Sequence, residues 1–474
     1  MTENQGRKFV EWFKDRFGLK ISVLRPVPEY SMNPLYWLGA LTAIAFGLQV
    51  LTGLLMLIYY VPTTDQAYST TLFIIKYVPL GGLLETVHLY GAYAMILLAF
   101  LHLFRGYFAS VQKRPREMMW VIGMLMGLIV MAFGLTGYLL PWTVVSKSAT
   151  DVSIGMLSFL PAQIGPIVTF LIAGSGTGAG ELTRFFDLHI VVLPAALLSL
   201  LALKLYMFEA HGAAEPVSVA AKEKSKDIPW FPTVYLYFAM IGALFVAVLF
   251  VVAAMFPISL PAEFTPQAAS NTVAQPDWYF LWMYQVLKFK SFEGSGIYLA
   301  LGAVTLAALG ISLLPFIDRG LERNPLLRPI YTTIGVIIIA ELLVLTVWGY
   351  LTPGQIIPDS QAILVNGGVA VGIAAVSLFM FRLSRRKNGK EEISPKKSYL
   401  RAIALPFTNR SVTAVFLIPL VAGSVSFANV VSLLTSGQIN TLVVLANFSV
   451  LVVSFYAMAR MMRNLSLAQN RLLS

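Results

Sequence analysis

Apolar stretches of roughly 20 residues follow one another along most of the chain, interrupted by shorter polar segments. About 20 residues of helix cross the hydrocarbon core of a bilayer, so each stretch is read as a membrane span. They lie near 34–60, 82–108, 118–140, 186–208, 233–256, 296–316, 330–351, 361–381, 412–434 and 439–459. The pattern predicts an all-α, polytopic membrane protein of about ten transmembrane helices. Ahead of the first span, Phe9, Phe13 and Phe17 recur every fourth residue, with Lys8, Glu11, Lys14, Asp15 and Arg16 between them. That is the pattern of an amphipathic helix lying in the headgroup region or docked on a partner. Residues 1–20 are charged throughout, so no signal peptide is expected.

Composition agrees with solvation by lipid. Of 474 residues, 57% are hydrophobic and 12% charged, against about 25% charged in ordinary globular domains. The 34 Lys and Arg exceed the 23 Asp and Glu by 11, and the excess is sided. With the N-terminus inside, 27 basic residues fall in inner segments and five (Lys76, Lys147, Arg184, Lys288, Lys290) in outer ones. The positive-inside rule then puts both termini in the cytoplasm and the chain in the cell membrane. The charge is explained by topology, with no nucleic-acid partner. The outer loops 141–185 and 257–294 are long and rich in Pro, Gly and aromatics, as functional loops are.

Cysteine is absent, which excludes disulfides, thiolate ligands and an iron–sulfur cluster held by this chain. Metal chemistry must rest on four histidines, His88, His102, His189 and His211. His88 and His102 are fourteen residues apart on the second span. Fourteen steps of 100° fall about 40° short of four turns, so both rings leave one face about 21 Å apart along the axis. His189 enters the fourth span on the same side of the membrane as His88. Histidines at matching depth on facing helices are how a bundle holds a metal cofactor, and bis-histidine haem ligation is the natural reading. A satisfied polar group or a proton path is the alternative.

Glycines repeat the same interval: Gly39 and Gly53 on the first span, Gly123 and Gly137 on the third. A large flat cofactor between helices needs positions without side chains. Small residues also serve plain helix packing, but three successive helices sharing one interval is a stronger signal.

Over about its first 350 residues the chain resembles cytochrome b of the Rieske/cytochrome b complexes, in its prokaryotic, archaeal branch. The resemblance rests on LQVLTG (48–53), HLYGAYAMILLAFLHLFRGY (88–107), KRPREMMWVIG (113–123), GLTGYLLPW (134–142), LTRFFDLHIVVLP (182–194), PDWYFLWMYQVLK (276–288) and PFID (315–318). It implies two b-type haems in a four-helix bundle, with quinol oxidised near the outer face. His88 and His189 would ligate the outer haem and His102 the inner one, while Arg105 would pair with a propionate. Tyr138, Pro276, Asp277, Trp278 and Tyr279 would form the quinol pocket, with Asp277 taking a quinol proton. One electron would pass to a separate Rieske iron–sulfur protein and the other across the membrane to quinone. The implied setting is a dimer, in a supercomplex with a terminal oxidase or a small redox carrier.

The match breaks at four places. Where the family has its fourth haem histidine, fifteen residues after His189, this chain has Lys204. His211 lies about 33 Å from His189 along the helix, too deep to replace it. Lys204 is therefore the candidate fourth ligand; the competing readings are a five-coordinate inner haem with Lys204 snorkelling, or no inner haem. Glu85 occupies the place of an arginine facing an outer propionate, which leaves room for an A-type haem. Asp277 shortens the commoner glutamate by one methylene. At the inner quinone site only Glu209 and His211 are near the family's positions, and His211 also reads as a solvated helix cap.

The expected organisation is an interfacial N-terminus (1–30), the dihaem bundle (31–210), a cytoplasmic loop (211–232), four further helices with the PDWY loop (233–383), a basic linker (384–411) and two extra spans (412–474). Two rival functions remain: a dihaem membrane anchor of a dehydrogenase and a haem-free transporter. The PDWY loop argues against the first, and a haem spectrum separates the second.

Overall fold

The computed structural model describes residues 26–157, 164–174, 178–215, 227–320 and 322–388. The expected N-terminal helix, the linker beyond 388 and the spans at 412–434 and 439–459 lie outside the described residues. Within them, eight helices are long and apolar enough to cross a membrane. These are α1 (Leu38–Leu57), α3 (Gly81–Phe108), α4 (Glu117–Leu139), α7 (Ala179–His211), α8 (Tyr235–Met255), α10 (Gly294–Ser312), α11 (Pro329–Leu351) and α12 (Asp359–Phe379). They coincide with the first eight spans read from hydropathy. Four shorter helices of seven residues or more were not foreseen: α2 (Ala67–Tyr77), α5 (Val144–Leu157), α6 (Ile164–Ala173) and α9 (Leu281–Leu287). Leucines such as Leu51, Leu54, Leu128 and Leu244 point outward, as expected where lipid is the solvent and outward apolar side chains carry no penalty.

The described chain forms two compact units. The first holds the residues from 26 to 215, with 227–272 and 306–320; the second holds 273–305 and 322–388. In the first, α1 packs along α3, α4 along α7, and α3 against α4, while α8 covers α3 and α1. Its core includes Leu48, Val87, Leu249 and Ala253. At the end carrying His88, α2, α5, α6 and the start of α7 form a cap around Ala67, Leu139, Trp142, Ile154, Leu182 and Phe185. Gly81 opens α3 under the backbone of α2, where a Cβ would meet the Ile74 carbonyl oxygen at 2.0 Å. At the opposite end a two-residue antiparallel pairing joins Val27–Pro28 to Asp227–Ile228. In the second unit α11 packs against α9 and α12 around Phe289, Leu345, Ile357 and Ala362.

Helix α7 differs most from its expected span. It begins at Ala179, so His189 sits ten residues inside it rather than at its mouth. The added segment, Ala179–Asp187, is amphipathic and buries Glu181, Leu182 and Phe185 in the cap. At Leu188–Val192 the helix widens into a π-turn. Pro194 has no N–H to continue the ordinary ladder, and a wide turn accommodates the loss. The helix ends at Gly212, whose φ of +66° and N–H bond to the Phe208 carbonyl close it in the left-handed manner that suits glycine.

Candidate haem-binding bundle

All four candidate ligands lie in the first unit, and each meets one of the four glycines. A Cβ on Gly53 would stand 3.3 Å from His88 Cε1, on Gly137 2.7 Å from His189 Cε1, on Gly39 3.0 Å from His102 Cε1, and on Gly123 3.0 Å from Lys204 Nζ. The glycines thus open space for the ligands themselves. The His88 and His189 rings lie edge to face, with centroids 6.4 Å apart and planes inclined at 62°. That separation is about what two imidazoles need to share one metal, given metal–nitrogen bonds of about 2 Å on each side.

Two threonines orient this pair. Thr52 Oγ1 donates to the Leu48 carbonyl at 2.7 Å and lies 2.8 Å from His88 Nδ1; Thr136 Oγ1 donates to the Ala132 carbonyl at 2.8 Å and lies 3.0 Å from His189 Nδ1. A hydroxyl has one proton. With that proton committed to the helix carbonyl, each Nδ1 is the donor, and each Nε2 keeps its lone pair. Sequence reasoning missed both threonines, although the signal was present: each sits in the same tripeptide, LTG, at 51–53 and 135–137. Phe133 stands edge-on to His189 with centroids 5.5 Å apart.

The second level, fourteen residues along α3, is built differently. His102 Nδ1 is buried and has no hydrogen-bond partner among the described residues. Arg105 stacks on Tyr36, its Cζ 4.0 Å from the ring centroid. Arg116 closes this end by donating to the carbonyls of His211, Gly212 and Ala213 at 3.0–3.2 Å. His211 itself is exposed at the last position of α7.

The chemistry of the donor set fits a haem at the first level. It supplies two neutral nitrogen donors at equal depth, a fixed tautomer, and glycine-cleared faces on α1 and α4. At the second level it supplies a buried imidazole with an orphaned nitrogen and an amine.

Two charged arrangements were not foreseen. In the cap, Lys147 contacts Asp151, lies 3.4 Å from Glu181 and faces the Trp142 and Phe264 rings at 5.6 and 5.5 Å. Lys147 and Glu181 are fully buried. Tyr60 donates to the Leu140 carbonyl at 2.7 Å, and burial with the nearby Glu85 carboxylate raises its pKa.

Tyr138 follows Gly137 in the first unit, and the PDWY segment belongs to the second. There Asp277 caps a single helical turn, its Oδ1 accepting the Trp278 N–H at 2.8 Å. Tyr279 is buried between Trp278 and Phe280, and its carbonyl accepts the Trp282 indole N–H at 3.0 Å. Pro276 leads into this turn. Lys288 donates to both oxygens of Thr352, lies 4.8 Å from the Tyr284 ring centroid, and has its pKa lowered to about 8 by burial.

The chain is similar to known proteins over most of its length. Residues 24–212 match the family model described as cytochrome b/b6/petB, and residues 266–366 match the one described as cytochrome b (C-terminal)/b6/petD. The chain is 35% identical to the cytochrome bc complex cytochrome b subunit of Chlorobaculum thiosulfatiphilum over 71% of this chain and 79% of that protein. It is 30% identical to cytochrome b of Sulfolobus acidocaldarius over 81% and 73%. A solved chain of a hyperthermophilic respiratory Complex III superposes with a TM-score of 0.63 at 26% identity, covering 79% of this chain and 97% of that one.

Proposed function

Because the chain belongs to the cytochrome b family, the haem-binding membrane subunits of bc-type respiratory electron-transfer complexes, we propose that it oxidises quinol at one membrane face and divides the two electrons. One goes to a Rieske iron–sulfur protein, whose cluster these 474 residues do not hold, since they contain no cysteine. The other crosses the bundle toward quinone at the opposite face. The observation that carries the reading is the pair of levels on one bundle: His88 against His189, and His102 fourteen residues farther along α3.

In this proposal His88 and His189 hold the first haem and His102 contributes to the second. Haem bound at the two levels would supply one-electron carriage along the helix axis. The chain's own residues do the rest. Thr52 and Thr136 fix the imidazole tautomers, and Gly39, Gly53, Gly123 and Gly137 clear the helix faces. Arg105 supplies a positive group for a propionate. In the second unit Pro276, Trp278 and Tyr279 shape a quinol pocket, and Asp277 takes up a proton and passes it to water; Tyr138, in the first unit, keeps the quinol-site role that the family resemblance implies. Asp277 is suited to that task because it is a carboxylate that is half-buried at the start of the turn, with Oδ1 accepting the Trp278 N–H. The sidedness of basic residues supports quinol oxidation on the outer face, with both termini cytoplasmic. Partnership in a dimer with a terminal oxidase or small redox carrier belongs to the same proposal.

The test is a reduced-minus-oxidised spectrum of the purified complex with haem per chain measured, followed by reduction with a quinol. Two haems per chain, reduced by quinol and slowed at least tenfold by Asp277→Asn, are expected. Absence of haem would favour the transporter reading. Haem that is reduced only by a co-purifying dehydrogenase would favour the membrane-anchor reading.

A further inference from the structure

We propose that the side-chain amine of Lys204 is the iron ligand opposite His102, so that this bundle pairs one imidazole–imidazole haem site with one imidazole–amine site. The inference deepens the dihaem reading and rests on it.

Depth comes first. His88 and His102 are fourteen residues apart on α3, and His189 and Lys204 are fifteen apart on α7, which is about 21 and 22 Å of helix rise. The His88 and His189 rings meet across the bundle, so the same rise down each helix brings His102 and Lys204 to one level.

The glycine faces give the second argument. Four glycines spaced fourteen apart on α1 and α4 each abut one side chain, and those four side chains are His102, His88, Lys204 and His189. A Cβ on Gly123 would stand 3.0 Å from Lys204 Nζ, as a Cβ on Gly39 would stand 3.0 Å from His102 Cε1. The arrangement treats the amine as the fourth member of the set.

Third, the amine does not behave as a surface lysine. Lys204 lies seven residues before the end of α7, within reach of snorkelling, yet its Nζ is turned against α4. It makes no hydrogen bond or ion pair with any described residue. An ammonium held among membrane helices without an anion is costly. A neutral amine bound to a metal removes that cost, and the buried, unpartnered His102 beside it offers the opposite ligand.

Ligation is balanced simply. The ammonium releases one proton to the aqueous phase, the freed lone pair on Nζ forms the N–Fe bond, and the iron keeps its oxidation state. Compared with imidazole, the amine donates only through its σ lone pair. The two sites of one bundle would therefore differ in spectrum and potential through ligand type as well as surroundings.

Near-infrared magnetic circular dichroism of the oxidised holo-complex distinguishes amine–imidazole from bis-imidazole ferric haem without any substitution. One haem of each type is expected. In Lys204→Ala the low-spin signal of one haem of the two should be lost, with that haem newly binding carbon monoxide when reduced. The His88–His189 signal should remain, and serves as the internal gauge of folding. Lys204→His should restore a low-spin haem with its band moved to the bis-imidazole position. The proposal is overturned by two bis-imidazole bands in the parent protein, by a Lys204→Ala spectrum identical to the parent, or by a single haem per chain. If Lys204→Ala does not accumulate, the parent spectrum decides alone. One haem per chain, or none, would overturn the dihaem reading along with it, whereas two bis-imidazole bands or an unchanged Lys204→Ala spectrum would leave that reading standing.

Discussion

Substituting Gly137 by alanine puts the glycine–ligand contacts to a quantitative test. The new methyl would stand 2.7 Å from His189 Cε1 and 3.3 Å from both ring nitrogens. Comfortable carbon–carbon contact begins near 3.5 Å, so the ring must retreat by about 0.8 Å. It is held by the 3.0 Å contact to Thr136 and flanked by Phe133 and His88, so retreat means overpacking, at about 1–3 kcal/mol, and a weakened hydrogen bond of about 1 kcal/mol. Alanine in a helix returns about 1 kcal/mol over glycine. The net loss of about 1–3 kcal/mol corresponds to about a 5- to 150-fold weaker haem site. At Gly53 the same methyl would stand 3.3 Å from His88 Cε1, close enough to contact that the helix gain about cancels the cost. Haem titration of the purified apoprotein, read by difference spectra, should show Gly137→Ala weakening the His88–His189 site alone, with Gly53→Ala near the parent. Equal affinity in Gly137→Ala, or a larger loss in Gly53→Ala, would refute the reasoning.

The remaining expectations concern polar groups. Thr136→Val removes the acceptor for His189 Nδ1–H; haem affinity at that site should fall about 10-fold or more and its potential should rise, with Thr136→Ser preserving both. Lys288 has a pKa of about 8 in the folded chain against 10.5 unfolded. Between those values the unfolded chain holds more protons, so this residue's contribution to stability rises as pH increases from 8 to 10.5 and is flat below. Thermal melts of the parent minus those of Lys288→Met should show that rise, and a difference independent of pH would contradict it. Lys147→Met leaves the buried Glu181 without its cation and should destabilise by about 3–5 kcal/mol, with the added Glu181→Gln recovering much of the loss in denaturation.

How much of this was legible in the sequence depends on the range of the interaction. The eight described spans follow from apolar length alone, because lipid demands length and little else. The interval of fourteen on α1, α3 and α4 was equally open, since helical periodicity turns sequence spacing into direction. It was read as clearance for a cofactor, whereas the structure shows each glycine abutting a candidate ligand. The threonine clamps could have been read from the repeated LTG. The contact of Lys147 with Asp151 follows a helical i, i+4 spacing, but Glu181 comes from thirty-four residues away, and only the fold brings it there. Helices α2 and α5 escaped notice because they are only moderately apolar, and α6 because its apolar run is ten residues long, too short for a span. The early start of α7 was missed because its first nine residues are amphipathic and contain Glu181, Arg184 and Asp187.

The π-turn at Leu188–Val192 bears on how one helix serves two settings. A wide turn amounts to one extra residue in the ladder, and one residue is 100° of rotation. Everything before it on α7 is therefore out of phase with everything after it. Glu181 points into the cap toward Lys147, while Lys204 points into the bundle toward Gly123. On an unbroken α-helix these two directions would be locked together. The inserted residue works as a clutch, letting the cap and the redox core each choose its own face of the same rod, with His189 at the junction where the two halves are set.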